Sequence, residues 1–176
     1  MAEINKIEFD RDLITKCQTN APRYTSYPTA DRFNFNFQVA EQLVQINQVF
    51  TTEFTEHISL YIHIPFCNTL CLFCGCNKII TNNRAKITEY LTYLEKEFAA
   101  YFDLINKKLK VVQLHFGGGS PSWLSNAEVN QVMQIVHKYF DMSDAREVSM
   151  ELDPRHVTSE FMQNLAEVGF NRVSLG

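Results

Sequence analysis

The sequence predicts an α/β protein in which a parallel sheet is built from strands that alternate with helices. Four short stretches are rich in apolar and β-branched residues, and longer segments with apolar residues at helical spacing separate them. Glycine or proline follows directly on most of these segments and marks a turn. Strands joined by helical connections form parallel sheets with right-handed crossovers. The strands are predicted at 58–64, 110–116, 146–152 and 171–175.

Helices are predicted before the first strand and between all the strands. The N-terminal part contains a short amphipathic pattern within residues 1–20 and a helix over 37–50 with a core-facing apolar stripe. A long helix follows over 84–108. Ser125, with Glu128 three residues further on, predicts a capping box that starts a helix ending near residue 139. The last helix covers 158–168, and Gly169 ends it.

Composition and charge limit the possible partners and the cellular compartment. The chain has 176 residues, of which 45% are apolar, and this is enough to bury a core. A net charge of −4 argues against nucleic acid or an anionic membrane as the main partner. No apolar run approaches the ~20 residues of a membrane span, and the first residues do not resemble a signal peptide. We therefore expect a cytoplasmic protein with reduced thiols.

Four of the five cysteines follow the first predicted strand within one short loop. Cys67, Cys71 and Cys74 have the spacing C-x3-C-x2-C, which suits three thiolates around a small iron–sulfur or zinc centre. Three ligands on a four-iron cluster leave one iron open to a small molecule. The odd cysteine count argues against a disulfide framework. A structural zinc site with Cys76 as the fourth ligand stays open as an alternative.

Two further features lie at the ends of predicted strands. Gly117, Gly118 and Gly119 follow the second strand, and without side chains they let a ligand approach the backbone closely. A phosphate-binding P-loop is excluded because no lysine follows at the required position. A plain tight turn remains the alternative. Glu151 ends the third strand, where a carboxylate is either a ligand contact or an ordinary solvated residue.

The cysteine loop carries a resemblance to a known superfamily. The pattern C-x3-C-x-F-C, in which Phe73 precedes the last cysteine, resembles the signature of radical S-adenosylmethionine enzymes. Residues 61–78 together with 22–30 resemble the oxygen-independent coproporphyrinogen III oxidases of that superfamily. This resemblance covers nearly the whole chain. It implies an N-terminal arm and helix over 1–52 and an incomplete (β/α) barrel over 53–176, truncated after about the fourth strand.

The resemblance also implies the cofactors and the residues that bind them. The thiolates of Cys67, Cys71 and Cys74 would bind a [4Fe–4S] cluster, and its open iron would bind S-adenosylmethionine. Electron transfer from the cluster would then cleave this cofactor to a 5′-deoxyadenosyl radical. A second S-adenosylmethionine is expected beside the first. The predicted contacts with S-adenosylmethionine are Tyr61, Phe73, Gly118, Gly119, Ser120 and Glu151.

Three other residues are predicted to act in catalysis or substrate binding. His63 would tune the cluster or transfer a proton, although a histidine on a strand is also often an ordinary core residue. Cys76 is predicted to lie beside the active site without binding iron. Arg23, in the arm 22–30, is predicted to pair with a propionate of the substrate, because a guanidinium binds a carboxylate through two hydrogen bonds.

The implied activity is the oxidative decarboxylation of coproporphyrinogen III to protoporphyrinogen IX in haem biosynthesis, without oxygen. The expected partners are this substrate and a reductant for the cluster, with no nucleic acid and no membrane, and the chain is expected to be a monomer. An N-terminal fragment of this kind would be marginally stable and inactive alone. Related haem-binding chaperones share the cluster motif and form the alternative class. Cys76 and the arm 22–30 favour the oxidase.

Overall fold

The structure is a computed structural model, and it describes residues 10–18, 29, 32, 33, 36, 38–51, 57–72 and 74–176. Two compact units divide the chain, Met1–Gln42 and Leu43–Gly176. Two of the predicted site residues, Arg23 and Phe73, lie outside the described residues. The arm 22–30 also lies outside them except for Thr29. The predicted domain boundary at residue 52 stays a prediction.

The described N-terminal residues form two helices. Helix α1 (Arg11–Cys17) begins after Asp10, whose carboxylate accepts a hydrogen bond from the Leu13 amide at 2.9 Å. Helix α2 (Val39–Thr51) crosses the boundary between the two compact units. Of its predicted core-facing stripe, Val39 and Leu43 keep 69% and 42% of their surface exposed, whereas Ile46 and Phe50 are half-buried. The helix was therefore predicted correctly, and its apolar stripe is covered only in part.

The described residues form two sheets, and the larger one confirms the predicted parallel order. A four-stranded parallel sheet has the spatial order β1, β4, β5, β6, and β2 pairs with β3 in a separate parallel pair. Strand β4 continues past the predicted end at Phe116 into the first two glycines. The strands are β1 (His57–Ile64), β2 (Phe66–Cys67), β3 (Ile79–Ile80), β4 (Lys110–Gly118), β5 (Glu147–Leu152) and β6 (Arg172–Leu175).

Three helices connect the strands of the larger sheet. Their buried side chains join those of the strands in one apolar cluster, and burying such side chains is the main favourable term in folding. Helix α3 contributes Ile87, Leu91, Leu94 and Phe98. The predicted capping box of α4 is present, since Ser125 and Glu128 bond each other's backbone amides. The helices are α3 (Ala85–Ile105), α4 (Asn126–Tyr139) and α5 (Ser159–Glu167).

The two faces of the sheet differ in polarity because side chains alternate along each strand. In β1, Ile62 and Ile64 are buried, while Tyr61 and His63 point to the opposite face. An irregularity between Ile58 and Ser59 of β1 shifts the register of its pairing with β4. The sheet thus presents an apolar face to the helices and a polar face that carries the predicted site residues of β1 and β5.

The edge strand β6 is the least covered part of the sheet. Leu175 keeps 68% of its surface exposed, and the other residues of this strand are exposed or half-buried. An edge strand with uncovered side chains offers unpaired backbone groups for further pairing. In the described part of the chain, no helix is both long and apolar enough to cross a membrane.

Candidate functional site

A cavity of about 420 Å³ lies where the strands of the larger sheet end. Ligands collect at the C-terminal ends of parallel strands in α/β sheets and barrels. Eight of the predicted site residues line this cavity, namely Cys67, Cys71, Cys74, Cys76, Gly118, Gly119, Ser120 and Glu151. Sequence reasoning therefore found eight of the 18 residues that line this cavity.

The cysteine loop is closed at its base by the short β2–β3 pair. The Ile79 amide donates to the Pro65 carbonyl at 2.7 Å, and the Thr81 amide donates to the Cys67 carbonyl at 2.9 Å. Cys67, in β2, is buried, whereas Cys71 is exposed and Cys74 is half-buried. The four cysteines of residues 67–76 are free thiols. The loop 68–78 thus projects from a fixed base and surrounds the cavity with thiols.

The thiols differ in how easily they ionise. Burial raises the pKa of Cys67, and the neighbouring thiols raise it further. The pKa of Cys74 is lowered, first by a hydrogen bond from the Cys76 backbone and then by Lys78. The Lys78 ammonium donates to the carbonyl oxygens of Cys74 and Cys76, both at 3.4 Å. This lysine therefore holds the end of the loop and brings positive charge to the thiols.

The donor set fits an iron–sulfur cluster. In a four-iron cluster each thiolate binds a different iron atom, so the ligands surround a volume rather than a point. Cys67, Cys71 and Cys74 line an open cavity in this way. Among the described residues, no three histidine, cysteine, aspartate or glutamate side chains are grouped to bind one metal ion.

The glycine run packs against the base of the cysteine loop. A Cβ atom on Gly119 would lie 2.9 Å from the Pro65 carbonyl carbon and 3.0 Å from the Cys67 sulfur. The Gly119 amide donates to Ile64 at 2.8 Å, and the Ser120 amide donates to Phe66 at 2.9 Å. The amides of Gly119 and Ser120 are thus bonded within the chain, and the predicted close approach of a ligand to the glycine backbone stays a prediction.

Glu151 is bonded to the glycine run from the end of β5. Its Oε2 accepts a hydrogen bond from the Gly118 amide at 3.3 Å, and its Oε1 lies 3.5 Å from Nε2 of His115. The His115 ring also stacks on Tyr61, with ring centroids 5.7 Å apart. Burial and then the Glu151 charge raise the pKa of Tyr61, so its phenol stays neutral at physiological pH. The exposed carboxylate remains free to accept a hydrogen bond from a ligand.

Two predicted residues, Tyr61 and His63, lie near the cavity but are not part of its lining. The His63 ring bonds the Asn77 carbonyl at 2.9 Å and lies against Gly118, where an added Cβ would be 2.7 Å from the ring. The Tyr90 hydroxyl donates to the His63 carbonyl. His63 therefore ties the end of the cysteine loop to the glycine run, and its predicted catalytic role stays a prediction.

Several lining residues were not predicted as site residues. They come mainly from the cysteine loop and from the turn after β5, where residues 153–156 supply one carboxylate, one guanidinium and one imidazole. Charged residues that directly follow a predicted strand are a signal that would have pointed to this turn. Of the unpredicted residues at or beside the cavity, those with charged, amide or imidazole side chains are Asn68, Lys78, Asp153, Arg155 and His156.

Comparison with known proteins agrees with this geometry. A family model described as the radical SAM superfamily matches residues 61–176. The oxygen-independent coproporphyrinogen III oxidase of Salmonella typhimurium is 40% identical over 172 residues, which are 97% of this chain and 36% of the relative. The protein of the same name from Mannheimia haemolytica is 43% identical over 152 residues, which are 86% of this chain and all of the relative.

A solved structure shares the fold. It is coproporphyrinogen III oxidase from Escherichia coli, described as a radical SAM enzyme, with a TM-score of 0.78 and 38% identity. The match covers 97% of this chain and 36% of that structure. This chain thus spans about a third of the length of the Salmonella and Escherichia relatives.

The parallel sheet, the three free thiols at its strand ends and the family match together place the chain in the class of enzymes that use an iron–sulfur cluster with S-adenosylmethionine. The chain belongs to the radical SAM superfamily and, within it, to the family of oxygen-independent coproporphyrinogen III oxidases. Membership implies a [4Fe–4S] cluster and S-adenosylmethionine as cofactors.

Proposed function

We propose that this chain is the cluster-binding part of an enzyme that converts coproporphyrinogen III to protoporphyrinogen IX without oxygen. Two propionate side chains of the substrate become vinyl groups, and each loses carbon dioxide, one hydrogen atom and one electron. The observation that carries the proposal is the set of three free thiols, Cys67, Cys71 and Cys74, around one cavity. The names of the relatives support the choice of substrate.

The cluster is assigned to these three thiolates. When bound, the cluster and S-adenosylmethionine supply the radical chemistry, and the protein supplies binding, orientation and shielding from water. Cys67 offers its thiol from a fixed strand, while the other two lie on the loop. Lys78 holds that loop through two carbonyl oxygens and partly balances the negative charge of the thiolates. Cys76, the fourth thiol, is assigned a place beside the cluster.

The methionyl ammonium of S-adenosylmethionine donates hydrogen bonds and therefore needs acceptors. The amides of Gly119 and Ser120 are donors that the chain already uses. Glu151 offers a carboxylate at the same mouth of the cavity, and its negative charge attracts a cation. We assign the ammonium to Glu151 and to backbone carbonyl oxygens of the glycine run, with Tyr61 nearby. A second S-adenosylmethionine is assigned to the Gly119 and Ser120 end.

The remaining assignments concern partners and compartment. The cluster needs a one-electron reductant, and the electron released from each propionate needs an acceptor. Free thiols at all four cysteines of residues 67–76 suit the reducing cytoplasm. Three assignments rest on the family resemblance alone. Arg23 is assigned to a substrate propionate, Phe73 is assigned to S-adenosylmethionine, and the protein is assigned as a monomer.

The test is anaerobic reconstitution of the chain with iron and sulfide, followed by electron paramagnetic resonance of the dithionite-reduced protein. The expected spectrum is that of a [4Fe–4S] cluster, and it should change when S-adenosylmethionine is added. C71S should lose the cluster, whereas C76S is the matched control because it removes a thiol from the same loop without removing an assigned ligand. Equal loss of iron in C71S and C76S would contradict the three-ligand assignment, and tight zinc without a cluster would contradict the function.

A further inference from the structure

The turn after β5 brings a guanidinium to one of the assigned cluster ligands. Nη2 of Arg155 lies 3.9 Å from the sulfur of Cys71, within the distance of a hydrogen bond to sulfur. Both residues line the cavity. They are 84 residues apart in the chain, so the contact comes from the fold and not from local sequence.

The position of this guanidinium is fixed by a carboxylate. Nε of Arg155 lies 2.9 Å from Oδ1 of Asp153, and Nη2 lies 2.6 Å from Oδ2. The Asp153 side chain is only 14% exposed, and its own backbone amide donates to the buried Ser122 hydroxyl at 3.0 Å. Because two parallel hydrogen bonds define the plane of the guanidinium, its remaining N–H groups have a defined direction.

A second contact joins the same turn to the cysteine loop. Nδ2 of Asn68 lies 3.0 Å from Nε2 of His156, the residue after Arg155. Asn68 directly follows Cys67. The loop therefore contacts the turn at two points, Asn68 and Cys71. The Arg155 guanidinium is thus held at Cys71 by contacts that do not involve the cysteine itself.

We propose that Arg155 is a positioning residue that raises the reduction potential of the cluster by donating a charged hydrogen bond to the Cys71 sulfur. This inference rests on the proposed function, because it needs Cys71 to be a cluster ligand. Reduction adds one electron to the cluster, and a nearby positive charge stabilises the more negative reduced state. Hydrogen bonds to the sulfurs are among the factors that set the potentials of iron–sulfur clusters.

The experiment is a redox titration of the reconstituted chain, monitored by the electron paramagnetic resonance signal of the reduced cluster. R155Q should shift the midpoint potential to a more negative value while iron and sulfide contents stay unchanged. R172Q is the matched control. Arg172 has a similar exposure, 62% against 60%, and also pairs with a single carboxylate, that of Glu147, but it does not line the cavity.

A third variant separates the effect of the positive charge from that of the planar guanidinium geometry. R155K keeps the positive charge but not the planar pair of donors, so it should recover part of the shift seen in R155Q. If R155Q fails to hold a cluster, the same comparison is made between R155K and the unmodified chain. An unchanged potential in R155Q and R155K, or an equal shift in R172Q, would overturn the proposal. Absence of any cluster in the unmodified chain would instead overturn the proposed function.

Discussion

Replacing Gly118 by alanine tests how the glycine run holds the cysteine loop. Gly118 has a φ of +111°, and a Cβ atom there would lie 2.7 Å from both Cε1 and Nδ1 of His63. The His63 ring cannot simply move away, because its Nε2 bonds the Asn77 carbonyl at 2.9 Å. G118A therefore combines a strained backbone with a steric clash at the residue that anchors the loop.

The expected cost follows from these two effects. Backbone strain of this kind costs about 1–3 kcal/mol, and insertion of a methyl group into a packed site costs about 1–3 kcal/mol. We therefore expect G118A to lower the free energy of unfolding by about 2–6 kcal/mol. Reconstituted G118A should also hold less iron per chain, since a displaced His63 releases the end of the cysteine loop.

Two other glycines of the same chain separate the two effects. Gly169 has a φ of +102° but nothing within 4 Å of an added Cβ, so G169A should show the strain alone, about 1–3 kcal/mol. Gly75 also has open space around it and does not have a positive φ in the left-handed range, so G75A should change stability by no more than about 0.5 kcal/mol.

The assay is urea unfolding of the reduced, cluster-free chain, followed by tryptophan fluorescence. The chain has one tryptophan, Trp123, four residues after the last glycine of the run. The order of destabilisation should be G118A, then G169A, then G75A, with similar urea dependence in all variants. If G75A were as destabilising as G118A, or if G118A cost no more than G169A, the steric argument would be refuted.

Three further predictions concern single side chains. S125A removes the cap of α4 and should lower the free energy of unfolding by about 1 kcal/mol, as urea unfolding will measure. Y90F removes the hydrogen bond to the His63 carbonyl and should cost about 0.5–1.5 kcal/mol. Because burial raises the pKa of Tyr90 to about 12, this difference should persist at pH 10. Arg155 holds the pKa of Asp153 at about 2, below its ordinary value of 3.8. The ionised Asp153 carboxylate therefore contributes to the free energy of unfolding above about pH 4, and this contribution is lost as the pH falls towards 2. D153N should therefore flatten the fall in stability over that range, and parallel acid-unfolding curves for D153N and the unmodified chain would contradict this.

The elements that were predicted well are those with local patterns. The alternation in β5, with Val148, Met150 and Leu152 buried, and the capping box of Ser125 depend on residues a few positions apart. The four strands and three connecting helices were accordingly located to within a few residues. The apolar stripe of α2 shows the limit of this reasoning, because periodicity indicates a face that can be buried and not whether another element covers it.

Sequence motifs predicted part of the candidate site. The residues that reach the site through contacts between distant segments of the chain were missed. The cysteine spacing and the glycine run lie in short segments, and both were found. The contacts between Arg155 and Cys71 and between His156 and Asn68 join residues 84 and 88 positions apart. No spacing rule connects such residues, because their meeting depends on which strands become neighbours.

The sequence by itself determined the parallel α/β class, the thiol loop after the first strand and the identity of the residues that supply the ligands. The tertiary structure decided what these residues contact. The register of β1 against β4 sets His63 opposite Gly117 and Ile64 opposite Gly118. Because of that pairing, the side chains of β1 pack against the glycines and leave no room for a Cβ atom there. The pairing of β5 with β4 brings the turn after β5 to the thiols. Strand register is a property of the whole sheet, since it follows from backbone hydrogen bonds between segments far apart in the chain.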